Sequence, residues 1–131
     1  MRPGLLLIGI TLIVLCFSCR KSSEELGPAF LINCWIHSLE EQNNVQGPPD
    51  IFRPCDYKDF GPARYRHKIN LKADNQAEYL VLSPIDAHYT EEGTWEFDDV
   101  NSILRILDAS GEIFYEYEVL EIQEDKLILN W

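Results

Sequence analysis

Basic residues are scarce in this chain: 11 Lys and Arg stand against 22 Asp and Glu in 131 residues, a formal charge of −11. A surface for nucleic-acid phosphates needs a net positive face, so the balance argues against nucleic acid as the main partner. Metal-ligand spacing is missing too. There is no Cys-x-x-Cys, and His37, His67 and His88 share no close spacing, so the sequence predicts neither a metal centre nor a cofactor. No serine stands in Gly-x-Ser-x-Gly, and no glycine loop has the form that cradles phosphate. The expectation is therefore a protein that is not an enzyme. The adjacent acids Glu40–Glu41, Glu91–Glu92 and Asp98–Asp99 would point to opposite faces of a strand and could not share a proton. No window of 11 or more residues carries a helical period. With 46% hydrophobic residues the chain is still too apolar to stay disordered, and its length suits one domain.

What is present begins with a targeting segment. Arg2 precedes an almost unbroken apolar run of 13 residues, Leu5 to Phe17. Such a run is too short to cross about 30 Å of hydrocarbon as a helix, which marks a signal-peptide core. It ends in Leu15-Cys16-Phe17-Ser18-Cys19, which resembles the lipobox of bacterial lipoproteins. That resemblance implies a signal peptide over 1–18, a lipid on Cys19, a polar tether over 19–29 and a folded domain over 30–131. The basic residues and acidic pair that follow, Arg20-Lys21-Ser22-Ser23-Glu24-Glu25, are similar to the surface-export signal of Bacteroidota lipoproteins. The expected location is the bacterial cell envelope, anchored by lipid at the outer membrane, on its periplasmic or its outer side. In that oxidising compartment Cys34 and Cys55 remain and are expected to form a disulfide, with a metal site as the competing use.

From Phe30 onward the dominant period is two. Tyr65, His67, Ile69 and Leu71 alternate with Arg66, Lys68, Asn70 and Lys72; Trp95 and Phe97 alternate with Thr94, Glu96 and Asp98; Ile113, Tyr115, Tyr117 and Val119 alternate with Phe114, Glu116 and Glu118. These read as half-buried strands. Phe30–Ser38, Glu78–Ser83, Ser102–Leu107, Lys126–Trp131 and a short piece around Ile51–Arg53 are further candidates. Asp74-Asn75, Ser110-Gly111 and Glu124-Asp125 supply hairpin breaks. Leu39 to Ala63 is interrupted by Gly47-Pro48-Pro49, Pro54 and Gly61-Pro62, so most of it is expected to lack regular structure, with one helical turn at Leu39–Asn44. Short links make sequential strands antiparallel, and closing the sheet removes its edges. The expected fold is all-β, an antiparallel up-and-down barrel of about eight strands.

A first strand carrying Trp35, the segment Gly93-Thr94-Trp95-Glu96-Phe97 and the hairpins after it resemble the lipocalin-like domains of small bacterial lipoproteins. The resemblance implies a barrel that binds a small hydrophobic molecule. Trp35, Tyr65, His67, Tyr79, Trp95, Tyr115 and Tyr117 are the candidate ligand-binding residues, because tyrosine and tryptophan combine an apolar wall with a polar handle. The same rings could simply fill the core. In the binding case a small, mostly apolar ligand is desolvated in the barrel mouth, with Leu39–Ala63 as partial cover. In the other case a solid barrel serves as an interaction or structural module for an envelope protein partner. The chain is also electrostatically two-sided. Arg53 to Lys72 holds six basic and two acidic residues, whereas Pro84 to Trp131 holds two basic and thirteen acidic. Arg64, Arg66, Lys68 and Lys72 would share one strand face, to meet an anionic partner or to pair with neighbouring glutamates.

Overall fold

Alternating burial is the rule along the strands: in β2 (Asp50–Pro54) every second residue is buried, and β4 (Gln76–Leu82) buries Ala77, Tyr79 and Val81. Strands of this kind hide one face only if they pair and curl. The computed structural model, which describes residues 27–42, 47–85 and 87–131, shows the result. Eight antiparallel strands form a closed barrel: β1 (Cys34–His37), β2, β3 (Lys68–Leu71), β4, β5 (His88–Asp98), β6 (Ile103–Leu107), β7 (Ile113–Ile122) and β8 (Leu127–Asn130). The all-β barrel expected from the period of two is therefore present. The signal peptide, Cys16 and Cys19 lie outside the described residues.

From β3 to β8 each strand pairs with the next in sequence. The first two strands then fit between β8 and β3 with their places exchanged, in the order β8-β2-β1-β3. As a result β2 and β3 run in the same direction on either side of β1, and the chain between Pro54 and Lys68 must return the length of a strand. Leu39–Ala63 is thus not mainly a cover. It contains a short 3-10 turn (Leu39–Gln42) and then β2, a full stave of the barrel that pairs with both β1 and β8. Two other expected strands start later than the alternation suggested. Pro28 opens a 3-10 turn (Pro28–Leu31) in place of a strand at Phe30, and Tyr65, Arg66 and His67 precede β3.

The barrel interior is filled by Trp35, Phe52, Ile69, Leu71, Tyr79, Leu104, Ile106, Tyr117, Leu127 and Leu129, each at most 1% exposed. The end where β1 begins is closed from below. Leu31 is fully buried there, and the Trp35 indole Nε1 donates to its carbonyl at 2.9 Å. At the same end Cys34 and Cys55 form the disulfide, with Cα atoms 5.4 Å apart. The Cys55 amide also donates to the Cys34 carbonyl at 2.9 Å. The bridge closes a loop with a sequence separation of 21, which in the chain-entropy description is worth about 3 kcal/mol. Reduction is therefore expected to lower the midpoint of thermal unfolding markedly, and Cys34→Ser/Cys55→Ser should reproduce the reduced protein's curve.

Several of the basic residues find acids. Arg53 on β2 grips Glu41 through Nε (2.8 Å) and Nη2 (2.6 Å), and Arg66 grips Glu40 at 3.0 and 2.8 Å. Lys72 meets Glu78 on the adjoining strand at 2.5 Å. The Arg53 fork holds the Glu41 carboxyl down at about 2, well below the usual carboxylate range. The two forks clamp the Leu39–Gln42 turn to the barrel. Arg66, Lys72 and their acids are thus a paired surface, as one of the two readings of the basic face expected.

Candidate functional site at the open end of the barrel

The end opposite the disulfide gathers polar and aromatic side chains. His37 closes β1, Asp50 opens β2, residues 65–67 lead into β3, Tyr115 and Tyr117 lie near the start of β7, and Trp131 follows β8. Backbone bonds hold them in place: the His37 amide donates to the His67 carbonyl at 2.9 Å and the Ser38 amide to the Ile51 carbonyl at 2.7 Å. The Arg66 guanidinium, already bound to Glu40, also donates to the His37 carbonyl at 2.8 Å.

At the centre is His67, 3% exposed. Its Nε2 is 2.7 Å from the Tyr117 hydroxyl and its Nδ1 is 3.1 Å from that of Tyr65. The hydroxyls of Tyr65 and Tyr115 both reach the Leu80 carbonyl, at 3.4 and 3.3 Å. The Tyr117 hydroxyl is fully buried against Nε2, which leaves Nδ1–H to donate to the Tyr65 oxygen while Tyr65 donates to Leu80. Nε2 then holds the lone pair that accepts the Tyr117 proton. Burial lowers the His67 imidazole to about 4, with nearby His37 acting in the same direction, so the ring is neutral near pH 7 as this network requires. Burial likewise raises the hydroxyls of Tyr65, Tyr115 and Tyr117, and that of Tyr79, beside Glu91, is pushed up to about 12.

A second polar group adjoins the first. Asp50 accepts the Trp131 indole N–H at 2.6 Å and lies 3.6 Å from His37 Nε2. Gln42 ties this group to the 3-10 turn: its Oε1 is 2.5 Å from His37 Nε2 and accepts the Ile51 amide at 3.0 Å. Rings join the two groups, with His67 5.7 Å from Trp131 and 4.9 Å from Tyr115 between centroids. Among the described residues no group of three or more His, Cys, Asp or Glu is arranged to hold a metal ion.

Of the seven candidates from the sequence, Tyr65, His67, Tyr115 and Tyr117 converge here, and Tyr79 touches the group through Tyr115 at 5.9 Å. The two tryptophans do not. Trp35 is bound to Leu31 at the closed end, and Trp95 donates to the Lys72 carbonyl at 2.9 Å, at the far end of β4 from Leu80. Sequence reasoning missed Asp50, Gln42, Trp131 and Phe114. The alternation places Phe114 on the wet face. The pairing with β6 shifts by one residue there, and the extra residue turns Phe114 onto Tyr79 at 5.0 Å and Tyr115 at 4.8 Å. Phe114 and Trp131 stay 40% and 55% exposed, so the top of the cluster faces solvent.

Comparison with family models, curated proteins and solved structures finds no match to this chain.

Proposed function

We propose that this chain is a lipid-anchored protein of the bacterial cell envelope, held by Cys19, whose barrel binds a small, mostly apolar ligand without chemical conversion. The observation that carries the reading is the open end. There the half-exposed rings of Tyr65 and Tyr115 and the exposed Phe114 and Trp131 surround a floor built on the hydrogen-bonded His67, Tyr117 and Asp50. The ligand sits on this rim, because side chains fill the barrel below it. Ring faces and edges supply the contact area, and a polar atom on the ligand can reach the Tyr65 or Tyr115 hydroxyl. Both ring nitrogens of His67 are engaged and the tyrosines are held protonated, which supports binding over acid–base work.

The burial of Trp35, Tyr117 and Phe52 favours the second reading, a solid barrel that docks a protein. One experiment separates the two. Native mass spectrometry of the chain extracted from membranes is expected to show a covalent lipid that Cys19→Ser abolishes and a non-covalent small molecule that Trp131→Ala releases. A chain that carries no small molecule under gentle extraction refutes the ligand reading; a lipid that persists in Cys19→Ser refutes the anchor.

A further inference from the structure

The β4–β5 hairpin is longer than the wall it belongs to. Its ladder runs from Gln76 opposite Thr94 to Leu82 opposite His88, whereas β6 pairs only with Thr94–Asp98 of β5. Above Gly93 the first half of β5 therefore parts from its neighbour, and among the described strands none covers that edge. The ladder also identifies the groups left facing outward. The Trp95 amide donates to the Asn75 carbonyl at 2.9 Å and the Ser83 amide to the Ala87 carbonyl at 2.8 Å. In an antiparallel pair this assigns the odd-numbered residues of β5 to β4. The N–H and C=O groups of His88, Thr90 and Glu92 consequently point to the open edge.

A groove of about 470 Å³ lies at the foot of this edge, between Glu92, Gly93 and Thr94 and the turn Asp108–Gly111. Its charge is of one sign. From His88 to Glu112 the chain has seven acidic residues and one basic residue, Arg105. Arg105 is already held by Glu116 at 2.6 Å and Glu96 at 3.5 Å. Lys72 also feels Glu92, but it is bound to Glu78 at 2.5 Å. A second copy of this edge would bring acid against acid, a common protection against self-pairing.

We infer that the free edge of β5, His88–Gly93, receives a basic, extended segment of a partner protein as an added strand. Main-chain bonds to Thr90 and Glu92 would supply the pairing, and lysine or arginine side chains along one face of the incoming strand would meet Glu92 and Asp108. The groove at Glu92 and Asp108 is lined by none of the rim residues, whereas His88, at the upper end of the edge, packs on the Tyr65 ring at 5.3 Å.

The test uses the full chain and a fluorescent nine-residue peptide in which lysine alternates with valine. Binding read by anisotropy is expected to weaken with added salt and to be absent for the peptide with glutamate in place of lysine. Amide exchange at His88, Thr90 and Glu92 should slow when the lysine peptide binds. Thr90→Pro removes one outward N–H and leaves the ladder to β4 intact, and it is expected to weaken binding at least tenfold with an unchanged far-ultraviolet spectrum. Should Thr90→Pro fail to fold, Glu92→Lys serves instead and is expected to reduce affinity for the lysine peptide at least tenfold. Absence of binding at millimolar peptide, or protection at Tyr115 and Trp131 instead of the edge, overturns the inference. A concentration-dependent dimer that Thr90→Pro dissolves assigns the edge to a second copy and overturns it as well.

Discussion

Gly93→Ala is expected to cost about 4 kcal/mol, the upper part of the range for a single substitution. A Cβ on Gly93 would lie 1.9 Å from the Leu107 carbonyl oxygen, 3.0 Å from its carbon and 3.3 Å from the Asp108 Cα. All three are backbone atoms, so no side chain can turn aside to make room. The end of β6 would have to move, and β6 is what closes the barrel against β5: Leu107 pairs with Thr94, and Ile106 pairs with Trp95. Both Ile106 and Trp95 are buried, so shifting them opens the core. Urea unfolding followed by tryptophan fluorescence would read the loss as a midpoint lower by about 1.3 to 4 M, given slopes of about 1–3 kcal/mol/M for small domains. Gly27 provides the control, since a Cβ there meets nothing within 4 Å; Gly27→Ala should stay within about 0.5 kcal/mol of the parent. Equal effects at the two positions would mean that close approach is not what Gly93 provides.

The close approach at Gly93 also shows where sequence reasoning stops. Gly93-Thr94-Trp95-Glu96-Phe97 is legible as a strand because Trp95 and Phe97 alternate with polar residues. The preceding His88–Gly93 reads as polar in every position but Tyr89 and offers no period, yet it is the longer half of β5. Backbone pairing with β4 makes it a strand, and pairing leaves no mark on composition. The same limit shortens β2, which the sequence shows only as a short piece around Ile51–Arg53. Its inward residues are Asp50, Phe52 and Pro54; a carboxylate and a proline break the apolar pattern, and only contact with β1 and β8 explains their burial. The exchanged order of β1 and β2 is illegible for a different reason. Hairpin logic applies to short links, and the return from Cys55 to His67 is too long for it to constrain.

The site was legible by half, and the division has a physical cause. Tyr65, His67, Tyr115 and Tyr117 lie on the inward phase of strand patterns, so the period of two finds them. Trp35 and Trp95 share that phase, but position along the strand decides which end of the barrel a residue serves, and the alternation carries no information on it. Asp50, Gln42 and Trp131 come together across sequence separations of 8 and 81. Their partnership depends on β8 meeting β2, the step that no local pattern encodes.

Mild acid is expected to destabilise the domain through His67 before any carboxylate contributes. The unfolded imidazole takes up its proton near pH 6.5 and the folded one only near pH 4, because the ring is buried. Between these values the unfolded chain binds more protons, so stability falls as pH falls; it is full above about pH 6.5, and the total loss below pH 4 is about 3.5 kcal/mol. At pH 5 about 2 kcal/mol should already be gone. Glu41, held near 2 by Arg53, adds its own loss only as pH falls below its ordinary value of 4.5, so the interval from pH 7 to pH 5 lies above it. The hydrogen bonds explain why the protonated ring is so poorly tolerated. A second N–H at Nε2 would face the Tyr117 hydroxyl at 2.7 Å, whose proton already points at that nitrogen. Tyr117 is fully buried, so its proton has no water to turn to. Urea titrations at pH 7 and pH 5 check the expectation. The parent should lose about 2 kcal/mol between them, whereas His67→Gln, which keeps one donor and one acceptor but does not titrate, should show little change. Parallel losses in the two proteins would assign the acid sensitivity to another group and remove His67 from the role of neutral keystone beneath the rim.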